Sequence, residues 1–89
     1  MIFQILNLLL LKVNSKKMFI DYEIFLNLQQ EIQIKIIEII YKFLKPKRIF
    51  LRYDKTLKIL NLLTKQDKVI TNLGGMNIEK NPIFIHFNA

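Results

Sequence analysis

The sequence has no cysteine and a single histidine, His86, among its 89 residues. The absence of cysteine excludes disulfide scaffolds, cysteine-ligated zinc sites and thiol catalysis. One imidazole cannot supply the set of histidines that a metal site needs, and neither catalytic nor metal-ligating residues are predicted. Glycine occurs only as Gly74 and Gly75, and the one serine is Ser15. The chain therefore lacks the residues of a glycine-rich loop that binds nucleotide phosphates.

Long hydrophobic runs are also missing. The most apolar segment, residues 2–11, is interrupted by Gln4 and Asn7 and closed by Lys12, whereas a bilayer-spanning helix needs about 20 apolar residues. It also lacks the basic start and small-residue cleavage site of a secretory signal. We therefore expect a cytoplasmic protein with no membrane partner. Residues 1–17 are expected to be an apolar segment and loop. The segment is interpreted as a core segment whose packing partners lie outside the chain, or as the remnant of a preceding element; a membrane or targeting element is the alternative.

Positive charge is in excess, because 14 Lys and Arg residues face 7 Asp and Glu residues, a formal net charge of +7. The hydrophobic fraction of 52% and the charged fraction of 24% are typical of a globular protein. A chain of this size buries only about 60% of its unfolded surface, so we expect marginal stability. No linker rich in proline, glycine or serine divides the sequence, and residues 18–89 are expected to form one domain.

Two segments have helical periodicity. Charged residues recur at spacings of three and four through residues 31–45, and most other residues there are apolar, which predicts a largely buried helix that ends before Pro46. Each Glu on this helix precedes a Lys by four positions, so we expect Glu–Lys ion pairs. A second helix is predicted from Asp54, its N-cap, to about Gln66. Leucines line one side of it, and the other side carries Lys55, Lys58, Asn61 and Lys65.

Short strands are expected on either side of this helical region. Residues 18–20 predict one strand, with Asp21 as the N-cap of a helical turn that follows. Residues 76–78 and 83–87 predict the two strands of a β-hairpin, with Pro82 in the connecting turn. The predicted fold class is α+β: a small helical domain, with two main helices and shorter ones, closed by a C-terminal β-hairpin.

Two features of the tail have structural explanations. Gly74 and Gly75 are expected to form a tight turn in which φ is positive, a conformation that residues with a β-carbon resist. His86 alternates with Ile85 and Phe87 along a predicted strand, so it should lie on the opposite face, exposed to solvent or hydrogen-bonded.

The strongest functional pattern is a cluster of basic residues around the connector between the two predicted helices. Seven cations and one acid, Asp54, fall within 17 positions, and cations on a loop and on helix ends can reach phosphate oxygens. An aromatic residue within the cluster is suited to stack on an unpaired base. The predicted RNA-binding residues are Lys42, Lys45, Lys47, Arg48, Arg52, Tyr53, Lys55 and Lys58.

A simpler interpretation of the same residues is a solvated, lysine-rich surface on which Tyr53 marks the edge of the core. For Arg52, the alternative to a contact with RNA is a structural ion pair with Asp54 or Glu38. The sequence leaves both alternatives open.

The order of these features resembles the region after the catalytic domain in bacterial tRNA(Ile)-lysidine synthases. It consists of a buried helix, a basic connector, Leu51-Arg52-Tyr53, a leucine-rich helix, the segment at 71–78 with its Leu-Gly-Gly turn, and a closing strand. Met18-Phe19-Ile20-Asp21 is similar to the family's entry to this region, and Arg52 matches an arginine of its connector. The resemblance covers residues 5–88 and depends on order and spacing together.

The resemblance implies a substrate-recognition module for ATP-dependent lysidine formation at the wobble cytidine of a minor isoleucine tRNA. The family's Ser-Gly-Gly-x-Asp-Ser loop has no counterpart here. The chain is therefore expected to be a truncated or split form that binds tRNA and is not catalytic alone, while ATP and lysine belong to a separate catalytic chain. Two alternatives are a basic RNA- or ribosome-associated protein of another family and a protein-interaction module with an exposed apolar N-terminus.

Overall fold

A computed structural model describes residues 7–14, 16–47 and 51–89 of the chain. The fold is α+β, as predicted, and combines helices with a five-stranded antiparallel sheet. The strands are β1 (Leu10–Val13), β2 (Lys17–Asp21), β3 (Val69–Leu73), β4 (Met76–Lys80) and β5 (Phe84–Asn88). The helices that follow β2 are α1 (Tyr22–Leu26), α2 (Gln30–Leu44) and α3 (Tyr53–Lys65).

The sheet joins the two ends of the chain. Its strand order is β1-β2-β5-β4-β3, so the C-terminal strand β5 lies at the centre, between β2 and β4. The predicted strands correspond to β2, β4 and β5, and the predicted hairpin is the antiparallel pair β4–β5. Neither β1 nor β3 is predicted from the sequence. The sheet is consequently larger than the predicted C-terminal hairpin.

One face of the sheet, here called the inner face, supplies the strand residues of the hydrophobic core. Its side chains alternate along each strand with those of the opposite face, as the pleat requires. They are buried in one cluster with apolar residues of the helices. The inner-face members of this cluster are Met18, Ile20, Val69, Leu73, Met76, Ile78, Ile85 and Phe87.

The one buried cation of the described residues, Lys80, shares the inner face with these apolar side chains. Its Nζ donates a hydrogen bond to the backbone carbonyl of Gln66, the C-cap of α3. The same Nζ lies 3.9 Å from the centroid of the Tyr22 ring. In place of water, the ammonium group of Lys80 therefore contacts a carbonyl at a helix C-terminus and the face of an aromatic ring. Both partners interact favourably with a buried cation.

The helix α1 begins, and the helix α2 ends, where the sequence predicts. Asp21 caps α1, because its Oδ1 accepts a hydrogen bond of 2.9 Å from the backbone N–H of Ile24. The helix α2 ends at Leu44, just before Lys45 and Pro46. The predicted i,i+4 ion pairs on α2 are not formed among the described residues; the pair within 4.0 Å joins Lys35 and Glu38, at i,i+3 and 3.9 Å.

The N-terminus of α3 differs from the prediction. The N-cap is Arg52, whose backbone is extended (φ −75°, ψ 132°) and whose side chain makes no capping bond. The prediction of Asp54 as N-cap is therefore wrong, because Asp54 lies within the first helical turn. A carboxylate in this turn still interacts favourably with the positive end of the helix dipole. The C-terminus at Lys65 lies one residue before the predicted boundary.

The Gly74–Gly75 turn connects β3 to β4, and its two φ angles are +57° and +89°, which confirms the predicted conformation. The hydroxyl of Tyr41, on α2, donates a hydrogen bond of 2.8 Å to the carbonyl of Gly74. A β-carbon on Gly74 would lie only 2.7 Å from that hydroxyl oxygen. Glycine is thus required at position 74 both by the backbone and by the close approach of α2.

The N-terminal segment joins the sheet within the residues that are described. The strand β1 pairs with β2, with Lys12 opposite Phe19, and Leu9 is fully buried in the core cluster. The first six residues and Ser15 of the predicted N-terminal segment and loop lie outside the described residues. In the described part of the chain, none of the helices is both long and apolar enough to cross a membrane.

Candidate nucleic-acid interface

The helix α3 separates apolar from basic side chains. Ile59, Leu60 and Leu63 are buried, whereas three lysines are exposed at spacings of three and seven residues. These spacings place the lysines on one face, since residues three or four apart are neighbours on a helix surface. We call Lys55, Lys58 and Lys65 the basic stripe of α3.

The basic stripe borders a groove between α3 and the β3–β4 turn. This open groove has a volume of about 470 Å³, and Asn72 and Gly74 line the side opposite the lysines. Asn72 is held in place there, because its Oδ1 accepts a hydrogen bond from Gly75 N (3.1 Å) and its Nδ2 donates to Asn77 Oδ1 (3.0 Å). None of the residues that line the groove is acidic: Lys55, Lys58, Ile59, Asn72, Leu73 and Gly74.

A second shallow depression, of about 430 Å³, continues along α3 towards its C-terminus. Lys58 lines both depressions, and Asn61 and Lys65 line the second. None of the three lysines of the basic stripe forms an ion pair with a described residue. Their ammonium groups are therefore available to an anionic ligand.

Arg52 and Tyr53 lie at the start of α3. The Nε of Arg52 is 3.4 Å from Oδ1 of Asp54, and both side chains are mostly exposed. Of the two ion pairs considered for Arg52, the structure thus contains the one with Asp54. An exposed pair of this kind is weak, so a phosphate can compete for the guanidinium group. The Tyr53 side chain is 62% exposed and does not lie at the edge of the core.

The remaining predicted residues are distributed around the end of α2. Lys42 is exposed in the last turn of α2, Lys45 is the half-buried C-cap, and Lys47 is exposed in the turn that follows. Arg48 lies outside the described residues. Of the eight predicted residues, the structure brings Lys55 and Lys58 together at one groove.

Three polar residues at the two depressions are not among the predicted RNA-binding residues: Asn61, Lys65 and Asn72. The helical spacing already contained Asn61 and Lys65, because both recur with Lys55 and Lys58 on the polar side of the second predicted helix. Asn72 could not be found in this way, since it reaches the groove through the pairing of β3 with β4.

His86 lies on the face opposite Ile85 and Phe87, as predicted. Its ring stacks on Phe19, with centroids 4.2 Å apart and planes inclined by 4°. Its Nε2 is buried and has no hydrogen-bond partner among the described residues, so the expectation of an exposed or hydrogen-bonded side chain is wrong for this atom. Burial lowers the pKa of His86 below its usual value; Glu79 opposes this shift and Lys17 adds to it. His86 is therefore a neutral, stacked ring near pH 7.

The chemistry available to these residues is the binding of anions. Among the described residues, no group of three or more His, Asp and Glu side chains is arranged to hold a metal ion. No family model, curated protein or solved structure matches the chain in comparisons with known proteins. The case for a function therefore depends on the geometry and charge of the surface itself.

Proposed function

We propose that this protein binds RNA through the basic stripe of α3 and the groove beside it. The observation that carries the proposal is the row of three exposed lysines, without ion-pair partners among the described residues, on one face of a helix. A row of ammonium groups binds the phosphate backbone and releases its counterions, whatever the base sequence. The excess of 14 basic over 7 acidic residues favours the same class of partner.

We further propose that the RNA is a tRNA, and that the protein acts in the cytoplasm. This part rests on the resemblance to the substrate-recognition region of tRNA(Ile)-lysidine synthases, in which Arg52 matches an arginine of the connector. Tyr53 is exposed at the adjacent position, where its ring can stack on an unpaired base. In this proposal the chain supplies the contact with tRNA, and a separate chain with a nucleotide-binding loop supplies the ATP-dependent chemistry.

The experiment is a binding titration with a minor isoleucine tRNA over a series of salt concentrations. We expect the affinity to fall as salt rises, and each lysine that neutralises a phosphate to contribute about 0.7–0.9 to the slope of log affinity against log salt. Lys58→Gln should weaken binding and flatten this slope, because Lys58 borders both depressions. Lys35→Gln is the matched control, since it removes one exposed lysine from α2 and leaves α3 intact.

Equal affinities of the Lys58 and Lys35 variants would contradict the assignment of the interface to α3. A non-cognate tRNA, measured in parallel, tests the finer proposal. Tighter binding of the isoleucine tRNA would support the lysidine synthase role. Equal binding of both tRNAs would instead favour a general RNA- or ribosome-associated protein.

A protein-interaction role is the second candidate, supported by apolar exposure near β1. Leu8, Leu11 and Val13 have exposed fractions of 74%, 54% and 47%, and β1 is at one end of the strand order. An edge strand with apolar side chains can pair with a strand of another chain. Under this candidate the protein should self-associate with rising concentration, and Leu11→Lys should prevent association. A wild-type protein that stays monomeric would exclude pairing of β1 with a second copy of the chain.

A further inference from the structure

Three aromatic rings lie together on the outer face of the sheet, the face opposite the core. Phe19 belongs to β2, and Phe84 and His86 belong to the central strand β5. Phe19 stacks on His86 and meets Phe84 edge to face, with centroids 5.3 Å apart and planes inclined by 75°. We call these three residues the aromatic group. All three are half-buried, and neither phenylalanine belongs to the hydrophobic core.

An aromatic group at this position needs an explanation. The solvated face of an antiparallel sheet usually carries polar side chains, and much of this face does, including Asn77, Glu79 and Asn88 around His86. Cross-strand aromatic pairs do stabilise sheets, and this is the structural alternative. It accounts for the contacts between the rings, but it does not account for the charges beside them.

Positive charge borders the aromatic group on the side of β1. Lys12 is directly opposite Phe19 in the register of β1 with β2, and Lys17 lies two residues before Phe19 on the same face. Lys16 is exposed in the connection between the two strands. No acidic residue occurs before Asp21 in the chain. Two carboxylates do adjoin the aromatic group: Asp21, the N-cap of α1, is opposite Phe84, and Glu79 is opposite His86. Lys12, Lys16 and Lys17 form a second basic cluster, separate in sequence from α3.

We propose that the outer face binds unpaired RNA, with bases stacked on the aromatic group and phosphates held by Lys12, Lys16 and Lys17. Aromatic side chains on a sheet, flanked by cations, are a general means of binding single-stranded nucleic acid. The inference rests on the proposed function, and it adds single-stranded segments, such as a loop or an end, as the class of RNA that this face recognises. The basic stripe of α3 supplies phosphate contacts that do not depend on unpaired bases.

The first test introduces a fluorescent reporter. The chain contains no tryptophan, so Phe19→Trp creates a unique one within the aromatic group. We expect its fluorescence to be quenched when a single-stranded oligouridine is added, because a stacked base lies against the indole ring. Phe43→Trp is the matched control: Phe43 is an exposed aromatic residue of α2 and lies outside the sheet. Quenching of both tryptophans alike would overturn the inference.

The second test compares single-stranded with duplex RNA. Phe19→Leu combined with Phe84→Leu removes two aromatic faces and retains apolar side chains. Loss of one stacked base should weaken binding of oligouridine about 5- to 150-fold, whereas duplex binding should change less than twofold. Phe43→Leu should change neither. If the double variant does not fold, as judged by circular dichroism, the response of the single Phe19→Trp variant decides the question.

The outcomes distinguish this inference from the proposed function. If Lys58→Gln weakens RNA binding while the double phenylalanine variant binds oligouridine normally, the outer face is excluded and the proposed function stands. If the wild-type protein binds neither RNA, both are wrong. If the double variant instead abolishes self-association without changing RNA affinity, the aromatic group contacts a second copy of the chain, and the inference is overturned.

Discussion

The two faces of the sheet are made by alternate residues of the same strands, yet they have different physical roles. On β5, Ile85 and Phe87 are fully buried, whereas Phe84 and His86 on the other face are half-buried. Phe19 on β2 resembles Phe87 in chemistry and differs from it in surroundings, because the described helices pack against the inner face. Alternation along a strand therefore identifies the residues that share a face of the sheet. It does not identify which of the two faces packs against the helices.

The largest expected effect comes from truncating one phenylalanine on each face. Phe87→Ala should lower the free energy of unfolding by about 3–5 kcal/mol, because it removes a fully buried aromatic side chain from the core. Phe19→Ala should cost roughly 1 kcal/mol, the scale of a cross-strand aromatic pair. Urea unfolding curves measure both values. Equal losses would show that the outer face is as well packed as the inner one.

A second pair of variants extends the comparison to the residues that precede β1. Leu9 is fully buried and Leu8 is 74% exposed. Leu9→Ala should therefore lower the free energy of unfolding by about 2–5 kcal/mol, and Leu8→Ala should change it by less than about 0.5 kcal/mol. Thermal unfolding of the full chain provides the measurement. A small loss for Leu9→Ala would indicate that this segment packs independently of the core.

Substitutions in the turn between β3 and β4 measure how much the contact with Tyr41 of α2 contributes to stability. Gly74→Ala should cost about 1–3 kcal/mol of stability from the positive φ alone, and the contact with Tyr41 should add to this loss. Gly75→Ala is the control, since it has a positive φ without that tyrosine contact. If both variants unfold at the same urea concentration, Tyr41 does not restrain the turn.

The smallest expected effect is a pH dependence that arises on the outer face. The pKa of His86 is lowered in the folded protein, so the unfolded chain, with a histidine pKa of about 6.5, binds the proton more readily. The stability that depends on a neutral His86 is therefore fully present above a pH of about 6.5. It is lost as the pH falls from there through the lowered pKa of the folded protein. The charged neighbours Glu79 and Lys17 modulate the shift.

Unfolding curves of the wild type and of His86→Gln between pH 8 and pH 5 measure this effect. The wild type should lose stability relative to the variant as the solution becomes acidic, and the two should differ by a constant amount in the alkaline part of the range. Parallel profiles throughout would show that burial of His86 does not affect its titration.

Local patterns predicted the helices well and the sheet only in part. The recurrence of apolar residues at three and four positions located α2 and α3 to within a residue or two. The strands β1 and β3 were missed because neither segment alternates regularly between apolar and polar residues. In β3, the polar residues Thr71 and Asn72 obscure the alternation until β4 pairs with it across the glycine turn.

The candidate interface could be predicted in part, because some of its residues recur with helical periodicity. Lys55 and Lys58 belong to a helical repeat, so their common face follows from the sequence. Lys65 belongs to that repeat as well, although it lies seven residues beyond Lys58 and outside the basic connector. The aromatic group on the outer face could not be assembled in advance, since it requires Phe19 of β2 to lie opposite His86 of β5.

Local sequence patterns are sufficient to predict the two long helices, the lysine-rich side of α3, the glycine turn and the α+β class. These features depend on the local conformation and periodicity of the backbone over a few residues. They can therefore be recognised within a single segment of the chain. The tertiary structure alone decided that β5 is the central strand, that helices cover one face of the sheet, and that Asn72 faces the lysines of α3. Those outcomes depend on pairing between distant segments, whose register is set by the burial of the whole inner face.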